Sequence, residues 1–334
     1  MSKRSSRLSR KSPTLAEVFK ILTGSGSNKD VRINNATENN SRLVLGTAQL
    51  GMPYGIANRT GQPDLSTGIA IVRAAWEGGI YEFDTAQSYG ESEQILGRVL
   101  SEMGIAQKAR IISKLHPTLQ HSDKQALKQP LAQSLHRLKV SSLYGLMLHR
   151  EELIDPLEDD LKHVLMSLVK KGRVKHVGVS VYSPEKALHA LQLDLIDMVQ
   201  LPTNVLDRRF QNAKIFELAE QKGKKIYIRS VFLQGLLLMN PEELPASMEF
   251  ARPVLKTFEQ LTQEFGMTRQ QIALRYVKMR FPNAHVIFGA ETPEQVKSNI
   301  ASWAIDPPES LLTRVEQIFG NVDERVINPS LWPN

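Results

Sequence analysis

Cysteine is absent from all 334 residues, which removes disulfides, thiolate metal sites and a cysteine nucleophile from consideration. No stretch of the sequence approaches the roughly 20 apolar residues that a helical membrane span requires. The eight histidines are scattered without a His-x-His pair, so a metal-dependent hydrolase lacks its usual ligand cluster. A glycine-rich dinucleotide fingerprint is missing too. The run Leu45-Gly46-Thr47-Ala48-Gln49-Leu50-Gly51 has two glycines at the wrong spacing for the first turn of a doubly wound sheet.

What charge there is lies unevenly. Of the formal +7, residues 1–40 hold +5, and residues 41–334 are left with +2. The basicity therefore belongs to a Ser/Asn-rich extension, and a nucleic-acid partner is not expected. That extension reads as disordered, with one short helix over 14–22 behind Pro13. It lacks the apolar core of a secretory signal, although its Arg/Ser-rich, acid-poor start also suits an organelle transit peptide. A cytoplasmic protein is expected, of open oligomeric state.

From residue 42 onward, eight short apolar runs alternate with amphipathic segments, the pattern of repeated βα units. The runs are Leu43–Leu45, Ile80–Phe83, Ala109–Ile112, Leu143–Leu148, Val174–Val179, Leu195–Val199, Lys225–Ile228 and Ala284–Phe288. Helical periodicity fills the intervals, as in Leu157, Leu161, Val164, Leu165 and Leu168. Eight such units predict an α/β fold, a closed (β/α)8 TIM barrel over residues 41–334. A helix over Glu309–Phe319 and a loop from Gly320 to Asn334 complete it.

Active sites of such barrels stand at the carboxyl ends of the strands. Here those ends present Asp84 after the second run, Lys114 after the third and His149 after the fourth, with Tyr89 five residues beyond Asp84. Taken singly, each has an ordinary reading: a helix cap, a rim charge, a core histidine, a packed ring. Taken together they supply one mouth with a carboxylate, an ammonium, an imidazole and a phenol. Hydride addition to a carbonyl builds negative charge on its oxygen, which calls for a proton donor and a polarising field. Tyr89 is the candidate donor. Lys114 would lower the phenol's pKa, Asp84 would aim Lys114, and His149 would hydrogen-bond the reacting oxygen.

The segment from Gly79 to Gly97 contains Asp84-Thr85-Ala86 and Tyr89-Gly90-Glu91-Ser92-Glu93-Gln94-Ile95-Leu96-Gly97. It resembles the first signature of the aldo-keto reductase family. Ile111–Lys114, Leu146–Arg150 and Gly172–Ser180 resemble further family motifs, in order. The resemblance spans about residues 42 to 303, and the family's tetrad falls on Asp84, Tyr89, Lys114 and His149. It implies reduction of an aldehyde or ketone, a small and sugar-like carbonyl substrate being favoured, with a nicotinamide cofactor.

By the same resemblance, Gly46 and Thr47 match positions beside the nicotinamide ribose, and Ser180 and Gln200 match the carboxamide partners. The usual Asn after the serine is Val181 here. Asn204 matches an asparagine found in many members. Arg229-Ser230-Val231-Phe232-Leu233-Gln234-Gly235 resembles the pyrophosphate loop, which assigns Arg229, Ser230, Leu233 and Gly235 to the cofactor. Arg229 replaces an aromatic that often stacks on the nicotinamide. Gly289, Gln295 and Asn299 match the adenosine end, where Ala290 and Glu291 replace common basic residues. Family habit favours NADP(H), and NAD(H) stays open. Tyr54, His116, Phe232 and Trp332 are the expected substrate-pocket residues. A nicotinamide-binding sensor or auxiliary subunit of the same fold is the competing class.

Overall fold

A computed structural model describes residues 42–118, 124–155 and 159–333. The expected tail helix over 14–22 lies outside the described residues, as does the proposed disorder of 1–40.

Eight parallel strands close into a barrel in sequence order, β1 pairing with both β2 and β8. They are β1 Leu43–Gly46, β2 Glu82–Asp84, β3 Arg110–Lys114, β4 Leu143–Leu148, β5 Val174–Ser180, β6 Met198–Pro202, β7 Lys225–Arg229 and β8 His285–Phe288. Each of the eight apolar runs thus marks a strand. The largest slip is at β6, expected at Leu195–Val199. There Ile196 N–H turns back to the Leu193 carbonyl at 3.0 Å, so these apolar residues fill a turn instead of starting the strand.

Parallel strands joined by helices bury both faces, one against the helices and one inside the barrel. Period-two alternation then splits each strand between two cores. The larger core joins strand residues such as Leu43, Phe83, Ile111 and Val177 to helix residues such as Ile71, Leu96 and Val296. The smaller fills the barrel with Val44, Ile112, Met147, Met198, Tyr227 and Ile287. Register puts Glu82 beside Val44 and Arg110, and Asp84 beside Gly46 and Ile112. Both carboxylates of β2 therefore share the inner face.

Helix ends follow local chemistry. Thr268 and Gln271 form a reciprocal capping box at the start of Arg269–Arg280. Thr292 accepts from Gln295 N–H at the start of Pro293–Ala304, with proline in its first turn. The helix expected over 211–222 is broken: Lys214 adopts φ 55°, separating Arg209–Asn212 from Ile215–Gln221. The C-terminal stretch expected as a loop holds two short helical turns, Glu324–Ile327 and Pro329–Leu331.

Candidate active site

The three strand-end residues and Tyr89 converge. Lys114 Nζ donates to Asp84 Oδ2 at 2.6 Å and to the Thr85 carbonyl at 3.0 Å. The other Asp84 oxygen accepts from Gln200 Nε2 at 2.8 Å. The Lys114 ammonium lies 5.0 Å from the centroid of the Tyr89 ring. Tyr89 and His149 meet edge to face, with centroids 6.0 Å apart. Ser88 Oγ stands 3.4 Å from His149 Nδ1.

Two close approaches put Tyr89 there. After β1, a short helix Ala48–Gly51 passes so near the Tyr89 loop that a Cβ on Gly51 would stand 1.8 Å from the Tyr89 carbonyl oxygen. Gly90, at φ 52°, faces it from the other side, where a Cβ would lie 2.1 Å from the Gly51 carbonyl oxygen. Only glycine at both positions allows this contact. A buried hydroxyl web fixes the corner beneath. Thr47 Oγ1 donates to the Asp84 carbonyl at 2.9 Å, and Ser92 Oγ stands 2.7 Å from Thr47 Oγ1 and 3.0 Å from Thr85 Oγ1. Glu93 accepts from Ser113 Oγ at 2.7 Å and from Arg137 at 3.2 Å. The Ser-Glu pair of the motif is thus a brace for the site.

The electrostatics set each protonation state. Burial, and then the Asp84 carboxylate, hold the Tyr89 phenol well above its ordinary pKa, with Arg229 pulling the other way. This corrects the expectation that Lys114 would lower it: Tyr89 is kept as a protonated phenol. Burial lowers the Lys114 pKa while Asp84 raises it. His149 is pushed down to about 3 by burial, then by Lys114, Arg229 and His116, so its imidazole is neutral at pH 7. Tyr54 is pushed up to about 12, chiefly by burial.

A cleft of about 310 Å³ opens from Asp84 and Tyr89, lined by Gly46, Thr47, Gln200, Arg229, Ser230 and Gly235. It runs on to Gly289, Glu291, Gln295 and Asn299, and takes in Tyr54 and Phe232. Lys114, His149 and Ser180 are not part of this lining, and Lys114 and Ser180 are fully buried. Leu233 is buried too and does not line it. Its backbone has φ 50° beside Ser230 at 61°, Gln234 at 52° and Gly235 at 92°. Ile56 N–H donates to the Gln234 carbonyl at 2.9 Å, tying the loop after β1 to the loop after β7.

Several expected residues have other engagements. The Arg229 guanidinium lies 4.2 Å from the Tyr182 ring centroid and donates to the Val181 carbonyl at 3.2 Å. Asn204 holds the β7 loop indirectly, donating to the Ser230 carbonyl at 3.2 Å. His116 is exposed, its ring 2.7 Å from Thr118 Oγ1, and does not line the cleft. Trp332 does not line it either; its indole N–H donates to the Arg325 carbonyl at 2.9 Å. Conversely, Gln49, Asn58 and Gln270 line the cleft without having been singled out. Gln49 lies inside the run from Leu45 to Gly51, and a Cβ on Gly289 would meet its amide at 2.2 Å.

The model of the Aldo/keto reductase family matches residues 42–319. This chain belongs to the aldo-keto reductase family. Members of the family are oxidoreductases acting on carbonyl groups. Among its relatives, this aldo-keto reductase is 24% identical to aldo-keto reductase YhdN of Bacillus subtilis, over 80% of this chain and 86% of that one. It is also 24% identical to the NADH-specific methylglyoxal reductase of Escherichia coli, over 83% and 94% of the two chains. The solved holo form of an aldo-keto reductase from Bacillus halodurans shares the fold, with TM-score 0.69 at 21% identity, covering 86% and 95%. Among the described residues, no helix is long and apolar enough to cross a membrane.

Proposed function

We propose that this aldo-keto reductase reduces a small, sugar-like aldehyde or ketone to the alcohol, with Tyr89 as proton donor and a nicotinamide dinucleotide as reductant. The supporting observation is the Asp84–Lys114 pair at 2.6 Å, set below a Tyr89 hydroxyl that makes no hydrogen bond among the described residues.

The residues present suit the dinucleotide. Gly46 and Gly289 keep the cleft walls low where a side chain would obstruct it, since a Cβ on either would lie within 3.0 Å of a neighbour. In the Ser230–Gly235 turn the N–H groups of Leu233 and Gly235 are taken by the Ser230 and Phe232 carbonyls, which leaves those of Val231 and Phe232 for anionic ligand atoms. Gln200, its nitrogen already given to Asp84, keeps its amide oxygen for a carboxamide. When bound, the nicotinamide supplies hydride to the carbonyl carbon.

The rest belongs to the chain. Tyr89 holds its proton at neutral pH and transfers it to the carbonyl oxygen as negative charge builds there. A donor kept above the usual phenol range lies nearer in acidity to the alcohol it forms. The buried Lys114 ammonium stabilises the developing charge, and Asp84 holds that ammonium in place. His149, neutral, orients the carbonyl oxygen through a ring N–H. Tyr54 and Phe232 bound the substrate end of the cleft.

Stopped-flow mixing of the protein with reduced cofactor and a panel of short, aromatic and sugar aldehydes tests this. Repeated cofactor oxidation is expected, and tight binding without turnover would instead favour a sensor. Tyr89→Phe should lower kcat about 10²- to 10⁴-fold, as loss of a general acid does, with cofactor Kd unchanged. Retained turnover would remove Tyr89 from the donor role.

A further inference from the structure

Charge is distributed very unequally along the cleft. Of the residues that line it, Arg229 is the single Lys or Arg, and it stands at the end near Asp84 and Tyr89. The far end is closed by Gln270, Glu291, Gln295 and Asn299, with one carboxylate and no cation. Glu291 makes no ion pair among the described residues, and burial alone raises its pKa; no lysine or arginine pulls it down. Arg269, next in sequence to Gln270, is held by Glu259 at 2.6 Å.

The surrounding hydrogen bonds hold this end in shape. Glu291 N–H donates to Gln295 Oε1 at 2.8 Å, and Gln270 Nε2 donates to Asn299 Oδ1 at 2.6 Å. Two amide oxygens are thereby used up, and the Glu291 carboxylate remains as the charged acceptor of this end.

We infer that Glu291 selects a dinucleotide with a free ribose 2′-hydroxyl, making NADH the preferred reductant over NADPH. This rests on the proposed binding of a nicotinamide dinucleotide with its adenosine at the end remote from Tyr89. A 2′-phosphate carries between one and two negative charges at pH 7 and needs a cation to offset its desolvation. Here it would meet a carboxylate instead. A 2′-hydroxyl can donate to that carboxylate, the same chemistry by which an acidic residue reads a ribose in doubly wound folds.

Equilibrium binding of NADH and of NADPH to the full chain, followed by cofactor fluorescence, tests this without reference to turnover. NADH should bind about tenfold or more tightly than NADPH, a difference of about 1.4 kcal/mol. Glu291→Gln should narrow the ratio mainly by strengthening NADPH binding, and Glu291→Arg should invert it. Equal or tighter NADPH binding by the unaltered protein would overturn the inference, as would an unchanged ratio in both variants. If neither dinucleotide binds while the thermal midpoint stays normal, the cofactor reading itself fails and this inference with it.

Discussion

Strand β2 sends two carboxylates into the barrel, and their surroundings differ in kind. Glu82, toward the N-terminal end, accepts from Arg110 at 3.1 Å and from the Tyr227 hydroxyl at 3.1 Å. His285 stacks on Tyr227 and brings Nδ1 within 3.4 Å of Glu82, though not aligned for a hydrogen bond. Asp84, two residues on, binds Lys114 and Gln200 under an open cleft. Both are buried acids paired with cations inside one barrel. At the base, the cation reaches solvent, since the Arg110 side chain is 55% exposed. At the mouth, Lys114 is 1% exposed, and Tyr89, whose hydroxyl makes no hydrogen bond among the described residues, lines the cleft. A buried ion pair therefore does not by itself mark a reactive site. What sets the proposed site apart is a donor left without a protein partner, among the described residues, beside an opening.

The sharpest way to break this comparison is to neutralise each acid in turn. Asp84→Asn leaves the Lys114 ammonium buried without its counter-charge, which typically destabilises by about 3–5 kcal/mol, and kcat should collapse with it. Glu82→Gln leaves the Arg110 charge in water and keeps an oxygen for Tyr227, so about 1 kcal/mol is expected, with kcat unchanged. Urea unfolding and steady-state rates on both variants decide the matter. Comparable losses of rate would mean that the base is coupled to the chemistry, and the contrast would be wrong.

The mouth depends on loop packing where the base depends on strand register, and a smaller substitution exposes this. Gly51→Ala places a Cβ 1.8 Å from the Tyr89 carbonyl oxygen, so the two loops must part. Overpacking of this kind costs about 1–3 kcal/mol. Turnover should fall further than that loss of stability explains, because the displaced element carries the proposed proton donor. A drop in thermal midpoint with unaltered kcat would show that Tyr89 does not depend on this contact.

Much of this is legible in the sequence. The barrel could be read because buried parallel strands are short apolar runs, and eight of them recur between helical segments. The meeting of Asp84, Lys114 and His149 at one mouth could be read because Asp84 and Lys114 end strands β2 and β3, and His149 follows β4 directly. The Glu82 cluster could not: its partners come singly from β3, β7 and β8, and one charge inside a strand has no spacing to reveal it. Gly51 was equally silent, since its importance lies in a contact made across loops. Trp332 was conspicuous as a residue, yet nothing in its spacing encoded its hydrogen bond to Arg325. The Tyr89 pKa is not legible for a physical reason. Strand ends disclose a nearby ammonium, but desolvation of the phenolate and its repulsion by Asp84 depend on how deeply the fold buries the ring.

The two ends also share a liability, and it yields the smallest effect. His149 at the mouth and His285 at the base both have lowered pKa values, burial being the first cause for each. As acid is added, the unfolded chain protonates His149 near pH 6.5, while the folded protein resists until about 3. Between those values the unfolded state binds more protons, so stability is present above pH 6.5 and is lost as pH falls toward 3. The slope from one such histidine is at most about 1.4 kcal/mol per pH unit, and less where water reaches the ring. His149→Asn should flatten the acid limb of stability measured by urea unfolding between pH 7 and pH 5. The slope that remains should fall again in His149→Asn/His285→Asn, because the second histidine acts at the other end of the barrel. If the first substitution leaves the slope unaltered, His149 takes up its proton at the same pH in the folded and in the unfolded chain. Below that pH its N–H would be a cationic donor to the carbonyl oxygen, and the mouth would gain a positive charge that the base lacks.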